Sequence, residues 1–143
     1  MKLAVSRSLA LLTSALFTIL PALADFKIVK VTNSGISEPQ GVLEACASGN
    51  ICDCMNNGAP ALVEVDGVRT VNLPANFFSV KAGLCGSKQL NFYNMGKGVW
   101  YIYVDHEDGT LKGQCSSDGT QTVCSKGFVV YNQLVCTSST ICA

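Results

Sequence analysis

The sequence predicts a mainly β fold, a β-rich α+β domain built on an antiparallel sheet, sandwich or small barrel. Short β-branched and aromatic runs alternate with turn-forming pairs such as Asp66-Gly67, without long helical patterns between them. Eight cysteines in 143 residues add a second constraint, because an even number of cysteines in an exported chain favours disulfide pairs. We therefore expect one domain, residues 25–143, cross-linked by four disulfides.

The first 24 residues have the features of a cleaved secretory signal. Lys2 and Arg7 precede an apolar run over 9–20, and Ala22 and Ala24 are the small residues that a signal peptidase reads. A membrane-spanning helix needs about 20 continuous apolar residues, and this run is shorter. We expect residues 1–24 to be a signal peptide. The mature chain is then secreted, extracellular and monomeric, without stable membrane insertion.

The charge balance limits the partners of the mature chain. The whole sequence has ten basic and ten acidic residues, and the signal peptide removes two of the basic ones. Nucleic-acid binding requires a dense basic face, which a slightly acidic chain lacks. No nucleic-acid partner is therefore expected. The same balance disfavours an antimicrobial or killer-type toxin, which usually presents a cationic surface.

Three cysteines fall within nine residues in the segment "CASGNICDC", which raises the alternatives of a metal site or a redox centre. No second cysteine knuckle follows, the chain has a single histidine, and Cys-x-x-Cys is absent, so neither metal nor cofactor is predicted. Cys52 and Cys54 are too close to pair with each other, and we expect an extended segment that points them toward different partners. All eight cysteines are expected in disulfides of undetermined pairing: Cys46, Cys52, Cys54, Cys85, Cys115, Cys124, Cys136 and Cys142.

Strand patterns run through most of the mature chain. Residues 26–32 form a half-buried strand pattern, and Asp66-Gly67 joins two β-branched runs as a tight hairpin. A second hairpin is predicted over 89–104 with Gly96 and Gly98 at its bend, and "GFVVYNQLVC" is the last long strand. The stretch 73–83 fits either a short helix or a strand.

One short helix is predicted near the N-terminus of the mature chain. Ser37 is a suitable N-cap, Pro39 fits the first turn, and Gln40 completes a capping-box pattern. Gly49 provides a left-handed stop. We expect a helix of about ten residues, tied to the sheet through Cys46.

Catalytic groups are scarce, and no catalytic residue is assigned. His106, the single histidine, lies among Asp105, Glu107 and Asp108 at a predicted hairpin tip, where a solvated turn residue is expected. No Gly-x-Ser-x-Gly elbow accompanies it. The neighbouring carboxylates offer oxygen ligands to calcium, but their spacing does not match an EF-hand loop. We predict neither an enzyme nor a metal site.

Aromatic residues cluster in the second hairpin. Strand alternation places Trp100 on one face and Tyr101 and Tyr103 on the other, with Tyr93 on the preceding strand. In a two-layer fold these rings form core, whereas on an open sheet one set faces solvent, where it can stack on sugars or anchor a protein partner. Tyr93, Trp100, Tyr101 and Tyr103 are therefore the candidate binding surface.

The whole pattern resembles the small secreted cysteine-rich proteins of filamentous fungi. The resemblance consists of the signal peptide, the length of the mature chain, the eight scattered cysteines and the β-rich pattern. Many of those proteins are effectors or effector candidates delivered to a plant host. The "CASGNICDC" stretch is also similar to the Cys-x-Cys of the fungal CFEM domain, but that domain is helical and this chain is β-rich after Met55. No functional residue is transferred from either resemblance.

These observations predict a non-catalytic, effector-like protein that binds a host or extracellular protein, or a glycan, in virulence or immune modulation. An antimicrobial or killer-type toxin or a cell-death elicitor is one alternative. A ribonuclease-like hydrolase or a carbohydrate-binding module is another.

Overall fold

The computed structural model describes residues 24–33, 41–47, 51–57 and 60–142. The predicted signal peptide therefore lies outside the described residues except for Ala24. Within them the chain is mainly β, as predicted, with one α-helix, α1 (Ile51–Asn57), and short 3₁₀ turns at Leu84–Gly86 and Ser125–Gly127. The strands are β1 (Ala24–Asn33), β2 (Val42–Ala47), β3 (Ala61–Val65), β4 (Val68–Arg69), β5 (Phe77–Val80), β6 (Leu90–Gly96), β7 (Val99–Val104), β8 (Gly113–Ser117), β9 (Gln121–Val123) and β10 (Phe128–Ser138).

The strands form a closed antiparallel barrel. The sheet runs β1–β2–β3–β5–β6–β7–β8–β10, and β10 pairs again with β1, which closes the ring. Most neighbours in the ring are also consecutive along the chain, as in an up-and-down barrel. The short strands β4 and β9 lie outside this path and pair with β3 and β10. Closure removes the open edges that an isolated sheet would expose.

Apolar side chains occupy the barrel interior. Every second residue of the ring strands points inward, and an eight-stranded ring is just wide enough for such side chains to fill. The fully buried rings of Phe26, Phe78 and Phe92 lie at its centre, where those of Phe78 and Phe92 stack with centroids 4.5 Å apart. The remaining buried members of this core are Ile28, Leu43, Ala45, Ala61, Val63, Val80, Leu84, Leu90, Trp100, Ile102, Cys115, Leu134, Cys136 and Ile141.

One β-bulge lets strand β10 serve two cores. Ile28 pairs with Leu134 but Val29 pairs with Asn132, so Gln133 is an extra residue on β10. After the bulge Leu134 belongs to the barrel core, whereas before it Val130 belongs to a second apolar cluster. Because of the single inserted residue, Val130 before the bulge faces the outside of the barrel and Leu134 after it faces the inside, although both have even numbers.

The predicted N-terminal helix is wrong in position. Val42–Ala47 is strand β2, paired with β1 along its whole length, and the predicted caps at Ser37, Pro39 and Gln40 lie outside the described residues. Leu43 and Ala45 point into the barrel core, which is the two-residue alternation of a strand. Pairing with the exposed edge of β1 outweighs the capping signals, which act only locally.

The helix of the described residues, α1, comes just after the predicted one. It carries Cys52 and Cys54, so the expectation of an extended segment there is also wrong. Seven residues are too few for an independently stable helix. Its apolar side packs in the second cluster with Val29, Cys46 and Val130, and disulfides fix it there. Tertiary contacts and cross-links, rather than propensity, stabilise α1.

Four disulfides cross-link the fold, as predicted. Cys46–Cys54 joins β2 to α1, and Cys52–Cys124 joins α1 to the segment before β10, so Cys52 and Cys54 do reach different partners. Cys115–Cys136 bridges directly opposed residues of β8 and β10 inside the barrel. Cys85–Cys142 ties the first 3₁₀ turn to the C-terminal end. Among the described residues no cysteine is free.

The predicted hairpins and the last strand are confirmed. Asp66 and Gly67 have positive φ values of 50° and 79° between β3 and β4, and Lys97 and Gly98 do the same between β6 and β7, at 53° and 77°. Two consecutive positive φ values are those of a type I′ turn. The stretch 73–83, for which the sequence fits either a short helix or a strand, contains strand β5. No helix in the described ranges combines the length and apolar character needed to cross a membrane.

Candidate functional site

A patch of aromatic rings lies on the outside of the barrel across β5, β6 and β7. In the sheet register Phe77 is opposite Tyr93, and Tyr93 is opposite Tyr101. Tyr103 lies two residues along β7 from Tyr101, on the same face. We call Phe77, Tyr93, Tyr101 and Tyr103 the tyrosine face. The strand register brings together residues that are up to 26 positions apart in the sequence.

The rings of this face support one another. The Tyr93 and Tyr103 centroids are 5.7 Å apart in an edge-to-face arrangement, and Phe77 and Tyr93 are 5.1 Å apart and tilted. Such pairs gain about 0.5–1.5 kcal/mol beyond their area burial. Tyr93 nevertheless remains 44% exposed, while Phe77, Tyr101 and Tyr103 are partly buried. The central ring is therefore held in place yet accessible to a ligand.

Trp100 does not belong to this surface. The sequence placed Trp100 on the opposite face from Tyr101 and Tyr103, and the structure confirms that alternation. Trp100 is 4% exposed and its ring packs against Phe78 at 5.0 Å in the barrel core. The prediction that Trp100 belongs to the candidate binding surface is therefore wrong. The closed barrel buries Trp100 and Ile102 on one face of β7, whereas Tyr101 and Tyr103 lie on its outer face.

An open groove with a volume of about 500 Å³ runs along one side of the tyrosine face. Tyr93 and Tyr103 form one wall of it, and polar groups of the β7–β8 turn form its end. Met95 lies at the rim, 56% exposed, because a bulge between Asn94 and Gly96 leaves it without a partner residue on β7. The groove is lined by Asn91, Tyr93, Met95, Tyr103, Val104, Asp105, His106 and Gly109.

A chain of hydrogen bonds connects the polar groups of the groove. Gln89 Nε2 donates to Asn91 Oδ1 at 3.3 Å, and Asn91 Nδ2 donates to Asp105 Oδ1 at 3.0 Å. His106 Nε2 lies 3.2 Å from the other oxygen of Asp105. The backbone N–H of Asp105 also donates to the carbonyl of Gln89 at 2.9 Å. The chain fixes the Asp105 carboxylate at the groove's end, where its remaining lone pairs can accept hydrogen bonds.

His106 is an exposed turn residue, as the sequence predicted. Its side chain is 92% exposed and its φ is 56°. The imidazole pairs with its sequence neighbour Asp105, and in the described part of the chain no serine, threonine or cysteine donates to it. A histidine-activated nucleophile needs such a hydrogen bond. His106 therefore contributes an exposed polar group to the groove.

The charges around the groove are compensated locally. Glu107 lies 3.0 Å from Lys112 Nζ and 3.9 Å from Lys88 Nζ. The hydrogen bond that Lys112 donates to Glu107 raises the pKa of Lys112, and hydrogen bonds donated by Thr110 lower the pKa of Asp108. Within the described ranges, no three His, Cys, Asp or Glu residues are arranged to hold a metal ion. The lining itself contains no lysine or arginine.

A separate charged group lies on β2, β3 and β4 and just after β5. Glu44 accepts a hydrogen bond from Arg69 at 3.1 Å, and Glu64 pairs with Lys81 at 3.0 Å. Burial raises the pKa of Glu44, and the Arg69 charge and hydrogen bond offset only part of that effect. In both pairs the carboxylate is much less exposed than its cation. We assign these pairs a structural role.

Several residues of the site were missed in the sequence. Phe77 lies in the stretch 73–83, where the sequence fits either a helix or a strand, so its position beside Tyr93 is not evident from the sequence. Asn91 carried no signal of its own, although it shares its strand parity with Tyr93. For Asp105 the sequence indicates a turn residue and a candidate oxygen ligand for calcium, but not its hydrogen bond to Asn91. The alternation on β6 and the hairpin register were the signals available to group Asn91 with the tyrosines.

Comparison of the chain with protein-family models, with curated proteins and with solved structures finds no match.

Proposed function

We propose that the mature chain is a secreted, non-catalytic recognition protein of the effector-like kind, which acts by binding a host or extracellular partner. The single observation that carries the proposal is the tyrosine face, a supported yet accessible aromatic patch on a cross-linked barrel. Aromatic anchors on a rigid scaffold lose little conformational entropy when they bind. The barrel interior is occupied by apolar side chains, so the outside is the surface that remains for recognition.

The cellular setting of the proposal rests on the sequence. The signal-peptide features of residues 1–24 and the even cysteine count support export into an oxidising compartment. Four disulfides are typical of extracellular proteins. The resemblance to small secreted cysteine-rich fungal proteins supports an effector-like role. The absence of a hydroxyl or thiol donor to His106 among the described residues supports a role without histidine catalysis.

Saturable binding of the oxidised mature protein to host extracellular material tests the proposal. Labelled wild type is incubated with plant apoplastic fluid and cell-wall fractions, and unlabelled wild type or a Tyr93→Ala variant competes. Because Tyr93 is the most exposed ring of the tyrosine face, we expect the variant to compete at least tenfold more weakly. Tyr131→Ala, on β10 away from this face, is the matched control and should compete like wild type.

The competing functions give opposite results. Binding that does not saturate contradicts a recognition role for the tyrosine face. The same holds if the Tyr93→Ala variant competes for binding as well as the wild type does. Hydrolysis of RNA or polysaccharide that His106→Ala abolishes identifies an enzyme instead. Growth inhibition of microbes by the purified protein without a host partner identifies a toxin.

A further inference from the structure

The groove beside Tyr93 combines an aromatic wall with a polar end. Tyr93 and Tyr103 meet edge to face, so their ring planes form a corner at 74°. A flat apolar ligand face can lie against one ring while the other closes the side. The aliphatic C–H face of a pyranose ring has this shape, and tyrosine combines an apolar body with a polar tip.

The polar end of the groove suits a ligand rich in hydroxyl groups. The two carboxylate oxygens of Asp105 have different partners. One accepts a hydrogen bond from Asn91 at 3.0 Å, and the other lies 3.2 Å from His106 Nε2. A carboxylate accepts more hydrogen bonds than these two, and adjacent hydroxyls of a sugar donate in pairs. The amide of Asn91 is held on both sides by Gln89 and Asp105, so the donors and acceptors are arranged before the ligand arrives.

The charge of the groove selects against anions. Asp105 is the one carboxylate in the lining, and no lysine or arginine accompanies it. Lys88 and Lys112, near the groove's end, are both directed at Glu107. A phosphorylated, sulfated or uronic-acid ligand would therefore meet the Asp105 carboxylate in a lining that contains no lysine or arginine. The complementary ligand is uncharged.

From these contacts we infer that the groove lined by Asn91, Tyr93, Tyr103, Asp105 and His106 binds a neutral oligosaccharide, one pyranose stacked on Tyr93 and its hydroxyls bonded to Asp105. This inference rests on the proposed recognition function and names its ligand class. The groove is open rather than enclosed, so a pyranose that belongs to a longer chain can enter it.

The inference is tested with the oxidised mature protein on an array that carries neutral oligosaccharides beside sulfated and uronic-acid glycans. Calorimetric titration with the best neutral glycan follows. Tyr93→Ala should weaken binding at least tenfold, and Tyr93→Phe, which keeps the ring, should stay within about threefold of wild type. Asp105→Asn should weaken binding by removing the charged acceptor. Tyr131→Ala is the surface control, and the denaturant midpoint of each variant shows that it is folded.

The outcomes separate this inference from the proposed function. Binding of neutral glycans that depends on Tyr93 and Asp105 supports both. Preference for sulfated or acidic glycans overturns the inference, as does neutral-glycan binding that Tyr93→Ala leaves unchanged. If no glycan binds but wild type still competes for host material through Tyr93, the ligand is of another class and the proposed function stands. If neither assay detects binding, both fail.

Discussion

At the scale of single residues, Glu44 is the carboxylate whose ionisation the fold perturbs through burial. Its side chain is 14% exposed and Arg69 lies 3.1 Å away. The pKa is raised because desolvation outweighs the attraction of Arg69. An acid whose folded-state pKa is raised holds its proton more tightly in the folded state than in the unfolded one. Its contribution to stability is then greatest at low pH and is lost as the pH rises through the folded pKa.

A Glu44→Gln variant tests this sign. The glutamine does not titrate, so the difference in unfolding free energy, wild type minus variant, should decrease as the pH rises from 4 toward 7. The measurement is guanidinium unfolding with the disulfides intact at several pH values. A difference that increases with pH would mean that the Arg69 ion pair, not burial, dominates at this position.

A larger residue is disfavoured at Gly98 by its positive φ and by the close approach of Ser117. Its φ is +77°, and a Cβ there would lie 2.5 Å from the Ser117 hydroxyl oxygen. Gly98→Ala should therefore destabilise the protein by about 1–2 kcal/mol from the left-handed conformation alone, with the displacement of Ser117 added. Gly119→Ala is the matched control, because no atom lies within 4 Å of its Cβ position and its φ is not positive. Denaturant unfolding of both variants gives the comparison, and an equal midpoint for the two would refute this explanation.

At the scale of elements, strand pairing determines the secondary structure of segments whose local sequence signals do not. The strand β1, the two type I′ hairpins and β10 were all predictable, because alternation and turn chemistry are encoded within a few residues. The segment Val42–Ala47 was not, because its structure depends on the edge of β1. Helix α1 was missed for a similar reason, because disulfides to Cys46 on β2 and to Cys124 fix its position. Cys124 is 72 residues away from its partner Cys52 in the sequence. Local patterns carry no information on such partners.

The two disulfides of α1 should differ in their contribution to stability. Cys46–Cys54 closes a separation of 8 residues and Cys52–Cys124 one of 72. In the loop-closure relation these separations correspond to about 2.5 and about 4.4 kcal/mol. Both bridges lie in the same apolar cluster, so paired Cys→Ala variants are matched to each other. The variant lacking Cys52 and Cys124 should have the lower guanidinium midpoint, and the reverse order would show that local packing of α1 matters more than loop closure.

At the scale of the whole molecule, one barrel supports two layers of structure. The ring encloses the main core, and α1 covers a second cluster on its outside. The tyrosine face lies on β5–β7, and α1 packs against β2 instead. The sequence predicted the β-rich class and the four bridges, and in the structure the predicted Tyr93, Tyr101 and Tyr103 lie on one outer face. The closed ring, which assigns Trp100 to the core and Tyr93 to the surface, emerges only when all strands are paired.

Reduction should unfold the whole molecule. Four bridges at about 2–4 kcal/mol each match or exceed the total stability of about 5–15 kcal/mol that is typical of a domain. Near-UV circular dichroism, which reports the packing of the aromatic rings, should be lost on treatment with dithiothreitol without denaturant. A reduced protein that keeps its near-UV spectrum would show that the apolar core alone sustains the barrel.

We propose that the chain is secreted and cross-linked by its cysteines before it binds a partner. Non-reducing peptide mass spectrometry of protein recovered from the culture medium of cells expressing the full chain examines it directly. We predict a mature N-terminus at Asp25 and the cross-linked pairs Cys46–Cys54, Cys52–Cys124, Cys85–Cys142 and Cys115–Cys136. Protein that keeps Met1, or that carries unmodified thiols at these positions, would contradict it.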